Sequence, residues 1–291
     1  MVTGASGVVG RAVVAAVAER DEVRATVRRQ EAAEPLRALG AKVAVRDLDH
    51  ADALAEILPR CHTLVHLIGG PNQPDPGELF RANHGSVLLA VEAAREAGTK
   101  RIVLVSVPGA DPEAQHPFLR AKGLAEEVVR ESGLGFAIIR SAHVYGVGGL
   151  WFTAAVEGAL ASSPFVVGPG DREIAPVFAG DLAAIIAALD DHDEDLAGTF
   201  AVEGPDALTA DAFCALLRDD DERPSHADGQ AAAKALTGLL EVNVDAVAAS
   251  YFAMACRADA PDAAAAFGVT MTPLGEGLRR TIEAAGASGD G

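Results

Sequence analysis

The sequence predicts an α/β fold, in which a doubly wound parallel sheet is followed by a small, mainly helical C-terminal part. Three glycines, Gly4, Gly7 and Gly10, punctuate the start of the chain and lead directly into an apolar helical run. Short β-branched segments then alternate with helical segments over the first two-thirds of the chain. Strands that are each followed by a helix form right-handed crossovers, which produce a parallel sheet with helices on both faces.

The individual elements follow from apolar periodicity and from the residues that stop it. Strands are predicted at residues 2–3, 22–27, 42–45, 63–68, 102–105 and 136–139, and helices at residues 10–20, 31–39, 50–58, 83–97 and 116–131. Gly40 and Gly98 close two of these helices, as glycine commonly does. Only Met1 and Val2 precede Thr3, so either the numbered chain starts late or the first strand is unusually short; we expect some loss of stability rather than loss of the fold.

The last third is less regular. Helices are predicted at residues 150–161, 181–189, 211–218, 227–241, 244–255 and 272–285, with a short strand at 199–202. Asp181 and Thr209 are predicted to cap the helices that follow them, because their side-chain oxygens accept hydrogen bonds from free N–H groups. Pro273 suits the first turn of the last helix.

The composition excludes several classes of partner. The 291 residues carry 42 acidic and 24 basic side chains, and a net charge of −18 argues against nucleic acid and anionic membranes. No apolar run approaches the roughly 20 residues that span a bilayer, and no leader is predicted because the glycine turn begins at residue 3. Cys61, Cys214 and Cys256 are widely spaced, which predicts reduced thiols, a cytoplasmic location and no metal site.

Polar or glycine residues stand at the end of each predicted strand. These positions are the loop Gly4–Gly10, then Arg28, Asp47, Gly69-Gly70, Ser106 and Ser141–Val144. Ligands of open parallel sheets bind beyond the carboxyl ends of the strands, so these six segments are predicted to form one site. A glycine turn that opens a helix lets the backbone approach a pyrophosphate, which the helix N-terminus attracts.

The chain resembles the short-chain dehydrogenase/reductase superfamily, in its atypical NmrA-like branch that overlaps with NAD(P)-dependent epimerase/dehydratase-like proteins. The matching segments are Thr3–Gly10, Asp47-Leu48, Val65–Gly69, Asn83, Val105-Ser106, the helix of Lys122, Ile139-Arg140, Val144–Gly146, Pro176-Val177 and Asp181–Ala183. The resemblance implies a Rossmann-type NAD(P)-binding domain over residues 1–200, with substrate-side insertions at 145–180. Residues 201–291 then form the helical part on the substrate side.

The resemblance also implies which residues hold the cofactor. The glycine loop would hold the pyrophosphate, Asp47 and Leu48 would border the adenine, and Lys122 would bind the nicotinamide ribose. The residues assigned to the cofactor are Gly4, Ala5, Ser6, Gly7, Val8, Val9, Gly10, Arg28, Arg29, Asp47, Leu48, Ile68, Gly69, Gly70, Lys122, Ala142, His143 and Val144.

Two arginines at the end of the second strand favour NADP(H) over NAD(H). An acidic residue at this position accepts hydrogen bonds from the adenosine ribose, whereas arginine pairs with a 2′-phosphate. Arg28 and Arg29 occupy the position here. NAD(H) stays possible, because the same arginines would also suit a solvated loop.

The catalytic residues depart from the superfamily's pattern. A tyrosine four residues before a lysine usually donates the proton, but this chain has Phe118 before Lys122. Lys122 is therefore predicted as the general acid/base, as in isoflavone-reductase-like relatives, with Ser106 or His143 assisting. His143 and Trp151 are predicted to contact a small, apolar carbonyl or unsaturated substrate. Tyr251, in an apolar helix, is predicted to be a core residue.

Two other functions stay open. The site is also compatible with NAD(P)H binding without turnover, which would make the chain a sensor or a structural protein. A nucleotide-sugar epimerase or dehydratase is the least favoured function, because those enzymes need the tyrosine that this chain lacks. The predicted partner is a small molecule, and the predicted state is a monomer or a homodimer.

Overall fold

The structure is a computed structural model of the 291-residue chain. It describes all residues except 49–50, 190–191, 193–195, 219, 221, 241, 256, 258–259 and 290–291. The predicted helix start at His50, the predicted helix end at Glu241 and the third cysteine, Cys256, lie outside the described residues.

The described elements alternate as predicted over the first two-thirds of the chain. The strands are β1 (Val2–Thr3), β2 (Arg24–Val27), β3 (Lys42–Val45), β4 (Thr63–His66), β5 (Arg101–Ser106), β6 (Gly135–Ser141), β7 (Val144–Tyr145), β8 (Phe165–Val167), β9 (Glu173–Ile174), β10 (Val177–Phe178), β11 (Ala197–Val202), β12 (Leu208–Thr209) and β13 (Ser225–Ala227). The α-helices are α1 (Val8–Ala18), α2 (Ala33–Ala38), α3 (Ala51–Ala55), α4 (Pro76–Phe80), α5 (Ser86–Ala97), α6 (Pro117–Arg130), α7 (Leu150–Leu160), α8 (Ala179–Ala188), α9 (Ala210–Leu216), α10 (Gly229–Leu239), α11 (Ala246–Phe252), α12 (Ala263–Phe267) and α13 (Leu274–Gly289).

Within the described residues, seven strands form one parallel sheet in the order β11-β6-β5-β4-β1-β2-β3. The order reverses at β1, so the chain winds outward in both directions, and helices cover both faces. This confirms the predicted doubly wound parallel sheet. The seventh strand, β11, crosses residue 200, and the division of the chain there stays a prediction.

The central strand β1 comprises Val2 and Thr3 and lies between β2 and β4. Val2 pairs with Ala25 of β2 on one side and with Val65 of β4 on the other. The chain's amino group donates to the Thr63 carbonyl at 2.8 Å, which extends the pairing by one residue. The carboxyl end of β1 therefore enters the glycine loop from the middle of the sheet.

Asp181 does not cap α8, and that prediction is wrong. The helix begins two residues earlier, at Ala179, with Phe178 at the capping position and no side-chain cap. Asp181 instead accepts hydrogen bonds from the backbone N–H and the hydroxyl of Thr272, both at 2.7 Å. Its carboxylate thus fixes the segment that leads into α13. Thr209 caps α9 as predicted, because its hydroxyl accepts from the Ala212 N–H at 3.1 Å.

Short two-stranded pairs and helices build the C-terminal part. β7 pairs with β10, β8 with β13, and β9 with β12, while α10 packs on α11 and α7. Among the described residues, no helix combines the length and the apolar character that crossing a lipid bilayer requires.

Helix α6 packs tightly against the loop before it, and one glycine permits this. A Cβ on Gly123 would lie 2.1 Å from the backbone carbon of Asp111. We expect Gly123→Ala to lower the free energy of unfolding by about 1–3 kcal/mol, because the clash outweighs alanine's helix preference. In the matched variant Gly238→Ala, a Cβ meets nothing within 4 Å, and we expect a gain of about 0.5–1 kcal/mol. Urea unfolding measures both; equal effects would contradict the packing argument.

Candidate functional site

The glycine loop after β1 brings strand and helix into close contact. Gly4 has φ +68°, and a Cβ there would lie 2.7 Å from the Leu67 backbone. A Cβ on Gly10 would lie 2.4 Å from the Gly4 carbonyl oxygen. Both positions therefore require glycine for packing alone. Gly7 differs, because a Cβ there would meet only the Gly4 oxygen, at 3.4 Å, and the residue is exposed.

The start of α1 presents free backbone donors to solvent. Gly7 occupies the capping position and no side chain caps the helix, so the N–H groups of its first turn point outward. Arg11 steadies the loop by donating to the Ser6 carbonyl at 2.7 Å and to the Val147 carbonyl at 2.5 Å. The first turn of α1 offers backbone N–H donors and the positive end of the helix dipole, and no side chain caps it. This arrangement is suited to binding a phosphate group.

Asn83 fixes the turn that follows β4. Gly69 has φ +118°, and a Cβ there would lie 2.4 Å from the Asn83 side-chain oxygen. That oxygen accepts from the Gly70 N–H at 2.9 Å, and the Asn83 amide donates to the Gly70 carbonyl at 3.0 Å. Ile68 is half-buried, and the space beside Gly70 is open. A fully buried side chain thus shapes an exposed glycine edge beside the loop after β1.

The ends of β2 and β3 carry exposed polar side chains at the same edge. Arg28 and Arg29 follow β2 and are exposed, and their guanidinium groups make no hydrogen bond or ion pair with any residue that the structure describes. Asp47 follows β3, is exposed, and accepts from the N–H of its half-buried neighbour Leu48 at 3.0 Å. Because the strands are parallel neighbours, these side chains lie on the side of the sheet that holds the glycine loop.

Lys122 is buried in α6 against the end of β5. The residue is only 6% exposed, and its Nζ donates a hydrogen bond to the Val105 carbonyl at 3.0 Å. Burial lowers the pKa of this ammonium to about 8, although attraction to the Glu126 carboxylate opposes the shift. A lysine with such a pKa carries a proton that it can give up near neutral pH.

Ser106 is engaged in a buried ionic cluster. Its hydroxyl donates to Glu126 at 2.6 Å. Arg140 binds both oxygens of the same carboxylate, at 2.9 and 2.7 Å, and Arg130 binds one at 2.6 Å. The predicted role of Ser106 in catalysis stays a prediction, and its hydroxyl is directed to Glu126 in this structure. Sequence reasoning missed the cluster, although an acid one turn after Lys122 and an arginine ending β6 were visible.

His143, beyond β6, lies in an aromatic cluster. Its ring stacks on Trp151 with centroids 4.7 Å apart and an interplanar angle of 9°, and meets Tyr251 edge-on at 5.2 Å. Burial lowers the pKa of His143 to about 4 despite a hydrogen bond with the Met254 backbone, so the ring is neutral at pH 7. Ala142 beside it is buried, and Val144 is half-buried.

Tyr251 also touches Phe118, and sequence reasoning did not anticipate the contact. The two rings meet edge-on at 4.7 Å. The residues are far apart in sequence, and only the packing of α11 on α6 brings them together. The predicted core position of Tyr251 is consistent with its 6% exposure.

An apolar cavity of about 50 Å³ lies beside this cluster, between α7 and α9. Trp151 forms part of its wall together with Phe213, whose ring centroid is 5.7 Å from that of Trp151. The remaining lining residues are Ala154, Ala155, Phe165, Val166, Val167, Ile174, Ala210, Cys214 and Phe252. Among the described residues, no group of three or more metal-ligating side chains comes together.

Known proteins resemble this chain in sequence. Residues 4–147 match the NAD(P)H-binding family. A ketoreductase of Stigmatella aurantiaca, named for 4-hydroxy-2-methyl-3-oxo-4-farnesyl-3,4-dihydroquinoline-1-oxide, is 32% identical over 166 residues, which are 50% of each protein. The photosystem II assembly factor Ycf39 of Cyanophora paradoxa is 28% identical over 142 residues, 48% of this chain and 44% of the relative. The chain thus spans about half the length of these relatives.

The fold has close counterparts among solved structures. Triphenylmethane reductase of Citrobacter sp., solved in complex with NADP(H), matches with a TM-score of 0.73 at 20% identity, over 96% of this chain and 98% of that one. At this identity the likeness shows the fold. The sequence resemblance is confirmed: residues 4–147 match the NAD(P)H-binding family, and the chain has homologues among atypical short-chain dehydrogenase/reductase-like and epimerase-like proteins.

Proposed function

We propose that the chain is an NADP(H)-dependent reductase of a small, apolar carbonyl or unsaturated compound, with Lys122 as its source of protons. The observation that carries this proposal is the buried Lys122 ammonium, held on the Val105 carbonyl 3.0 Å away. It lies at the carboxyl edge of the sheet, where the glycine turns after β1 and β4 also end. A proton source beside a nucleotide cradle is what carbonyl reduction requires.

The cofactor assignments follow the edge of the sheet. The Gly4–Gly10 loop and the first turn of α1 would bind the pyrophosphate, and the edge at Ile68, Gly69 and Gly70 would receive the nicotinamide ribose. Asp47 and Leu48 would border the adenine, and Ala142–Val144 the nicotinamide. When bound, NADPH supplies a hydride; the protein orients the acceptor and provides the proton.

An apolar substrate is supported by the surroundings of Trp151. The 50 Å³ cavity behind it is lined by aliphatic and aromatic side chains and one thiol. Trp151 stacks on neutral His143, so this wall carries no full charge at pH 7. A hydrocarbon group that binds here is removed from water, and because it has no polar atoms it loses no hydrogen bond on binding. Ser106 enters this proposal as a positioning residue, because it follows Val105, which holds Lys122.

NAD(P)H binding without turnover is the second candidate. It is favoured by the dense packing of Phe118, His143 and Tyr251 where a substrate would lie. The similarity to an assembly factor supports it as well. The two candidates differ in one measurement, NADPH oxidation with a series of aldehydes, ketones and enones of increasing chain length. NADPH binding with no oxidation of any of them would favour the second candidate.

The preference for NADP(H) has its own test. We expect the double variant Arg28→Ala/Arg29→Ala to weaken NADPH binding by about 10–100-fold, because charge-assisted hydrogen bonds to the 2′-phosphate are lost. NADH affinity should stay within about twofold, since NADH has no such phosphate. Fluorescence titration measures both constants, and Arg37→Ala, an exposed arginine on α2, is the control. Equal weakening of both cofactors would contradict the assignment of Arg28 and Arg29.

A further inference from the structure

Helix α11 brings the ring of a tyrosine into contact with α6, one turn before Lys122. Tyr251 is 6% exposed, and its ring meets Phe118 of α6 and His143 after β6. Phe118 lies in the first turn of α6, which begins at the carboxyl edge of the sheet, and His143 follows β6, which ends at that edge. A tyrosine from the C-terminal part therefore reaches the region in which the proposed reductase would hold its substrate.

Polar contacts on either side fix the position of Tyr251. Its neighbour Ser250 shares a hydrogen bond of 3.0 Å with His116, the residue that precedes α6. Asp245, just before α11, donates its N–H to Asn72 at 2.9 Å and accepts from the Gln73 N–H at 3.2 Å. Helix α11 is thus held both to the start of α6 and to the segment after β4.

The residue of α6 that Tyr251 contacts lies one turn before Lys122. Phe118 and Lys122 are four residues apart in the helix, so their side chains are neighbours on one face. Two histidines flank the Tyr251 ring, His116 at 6.4 Å and His143 at 5.2 Å. Burial lowers the pKa of both, so neither is charged at pH 7. The ammonium that the inference uses is therefore that of Lys122, on the same helix face as Phe118.

We propose that Tyr251 is a catalytic residue of the reductase proposed above: its hydroxyl gives the proton to the carbonyl oxygen, and Lys122 replaces that proton. The inference rests on the proposed function. The carbonyl carbon accepts a hydride, with its electron pair, from NADPH, and the C=O π bond breaks. The oxygen takes the Tyr251 proton as the phenolic O–H bond breaks. The phenolate takes a proton from the Lys122 ammonium, which recovers one from water.

Kinetics with matched tyrosine variants test the role. The chain has two tyrosines, and Tyr145→Phe removes the other hydroxyl, which is buried under α13 at Gly277. We expect Tyr251→Phe to lower kcat by about 100-fold, with NADPH affinity within twofold, and Tyr145→Phe to leave kcat unchanged. Adding Phe118→Tyr to Tyr251→Phe should restore at least part of the rate, because it places a phenol at the ring that Tyr251 contacts.

A spectroscopic titration tests the pairing without turnover. In Tyr145→Phe protein the ultraviolet absorbance of the phenolate reports Tyr251 alone. In the proposed relay the phenol and Lys122 exchange a proton and titrate as a coupled pair, so we expect Lys122→Met to change the pH at which the phenolate absorbance appears. An unchanged pKa on adding Lys122→Met, or a wild-type kcat for Tyr251→Phe, would overturn the inference alone. Wild-type protein that binds NADPH but reduces nothing would instead contradict the proposed function.

Discussion

Lys122→Met is expected to lower kcat/KM for NADPH-driven reduction by about 100–10,000-fold, the range that a general acid typically contributes. Methionine keeps most of the apolar volume of lysine but carries no proton. The exposed lysine of α10 gives a matched control, Lys234→Met, which should leave kcat/KM unchanged. Steady-state kinetics with saturating NADPH measure the effect. Turnover that survives Lys122→Met would reject the lysine as the proton source.

The same residue predicts a pH dependence with a definite sign. An acid must be protonated to act, and burial sets the pKa of Lys122 at about 8. The rate should therefore fall as the pH rises through 8. Stability should change in the opposite direction. The unfolded chain binds this proton more tightly than the folded one, so the free energy of unfolding should rise with pH above about 8, up to the lysine's ordinary pKa of about 10.4. Lys122→Met should remove that rise in urea unfolding.

Glu126→Ala is expected to lower the free energy of unfolding by about 3–5 kcal/mol, because it removes one side of a buried ionic cluster. The Glu126 carboxylate is fully buried and accepts from Ser106, Arg130 and Arg140. Arg140, with 21% of its side chain exposed, would lose its bidentate partner. The neighbouring Glu127→Ala is the control, because that residue is exposed and its loss should change stability by less than about 0.5 kcal/mol.

Urea unfolding at pH 7 separates these two variants. A loss below about 1 kcal/mol for Glu126→Ala would mean that the cluster contributes no more than surface pairs do. The position of Lys122 would also respond, because Glu126 follows it by one turn of α6. Glu126→Ala would then lower both kcat and the free energy of unfolding, whereas Gly123→Ala would lower the free energy of unfolding alone. That difference would identify Glu126 as a positioning residue for Lys122.

Local patterns in the sequence were sufficient for the sheet and for the glycine loop. The alternation of strands and helices predicts parallel order, because a crossover helix returns the chain in the same direction. Gly4 and Gly10 signal close packing of β1 and α1, and the structure shows that a Cβ at either position would meet backbone. These features depend on residues within one turn or one crossover of each other.

Contacts between segments that are distant in the sequence could not be predicted from the sequence. Asp181 has the side chain of a helix cap, and nothing near it in the sequence indicates that Thr272 will take its hydrogen bonds. Ser106 has the chemistry of a catalytic group, but a buried acid in the following helix binds its hydroxyl. The apolar sequence around Tyr251 predicts a core residue. Its contact with Phe118 depends on how the last third of the chain packs on α6.

Asn72 gives the molecule a tether between its two parts. The side-chain amide donates to the Asn243 carbonyl at 2.8 Å, and its oxygen accepts the Asp245 N–H at 2.9 Å. These hydrogen bonds link the segment after β4 to the start of helix α11, and any free-energy coupling through such a link acts equally in both directions. A molecule that orders the glycine edge therefore also stabilises α11, and mobility of α11 lowers the affinity of that edge for the molecule.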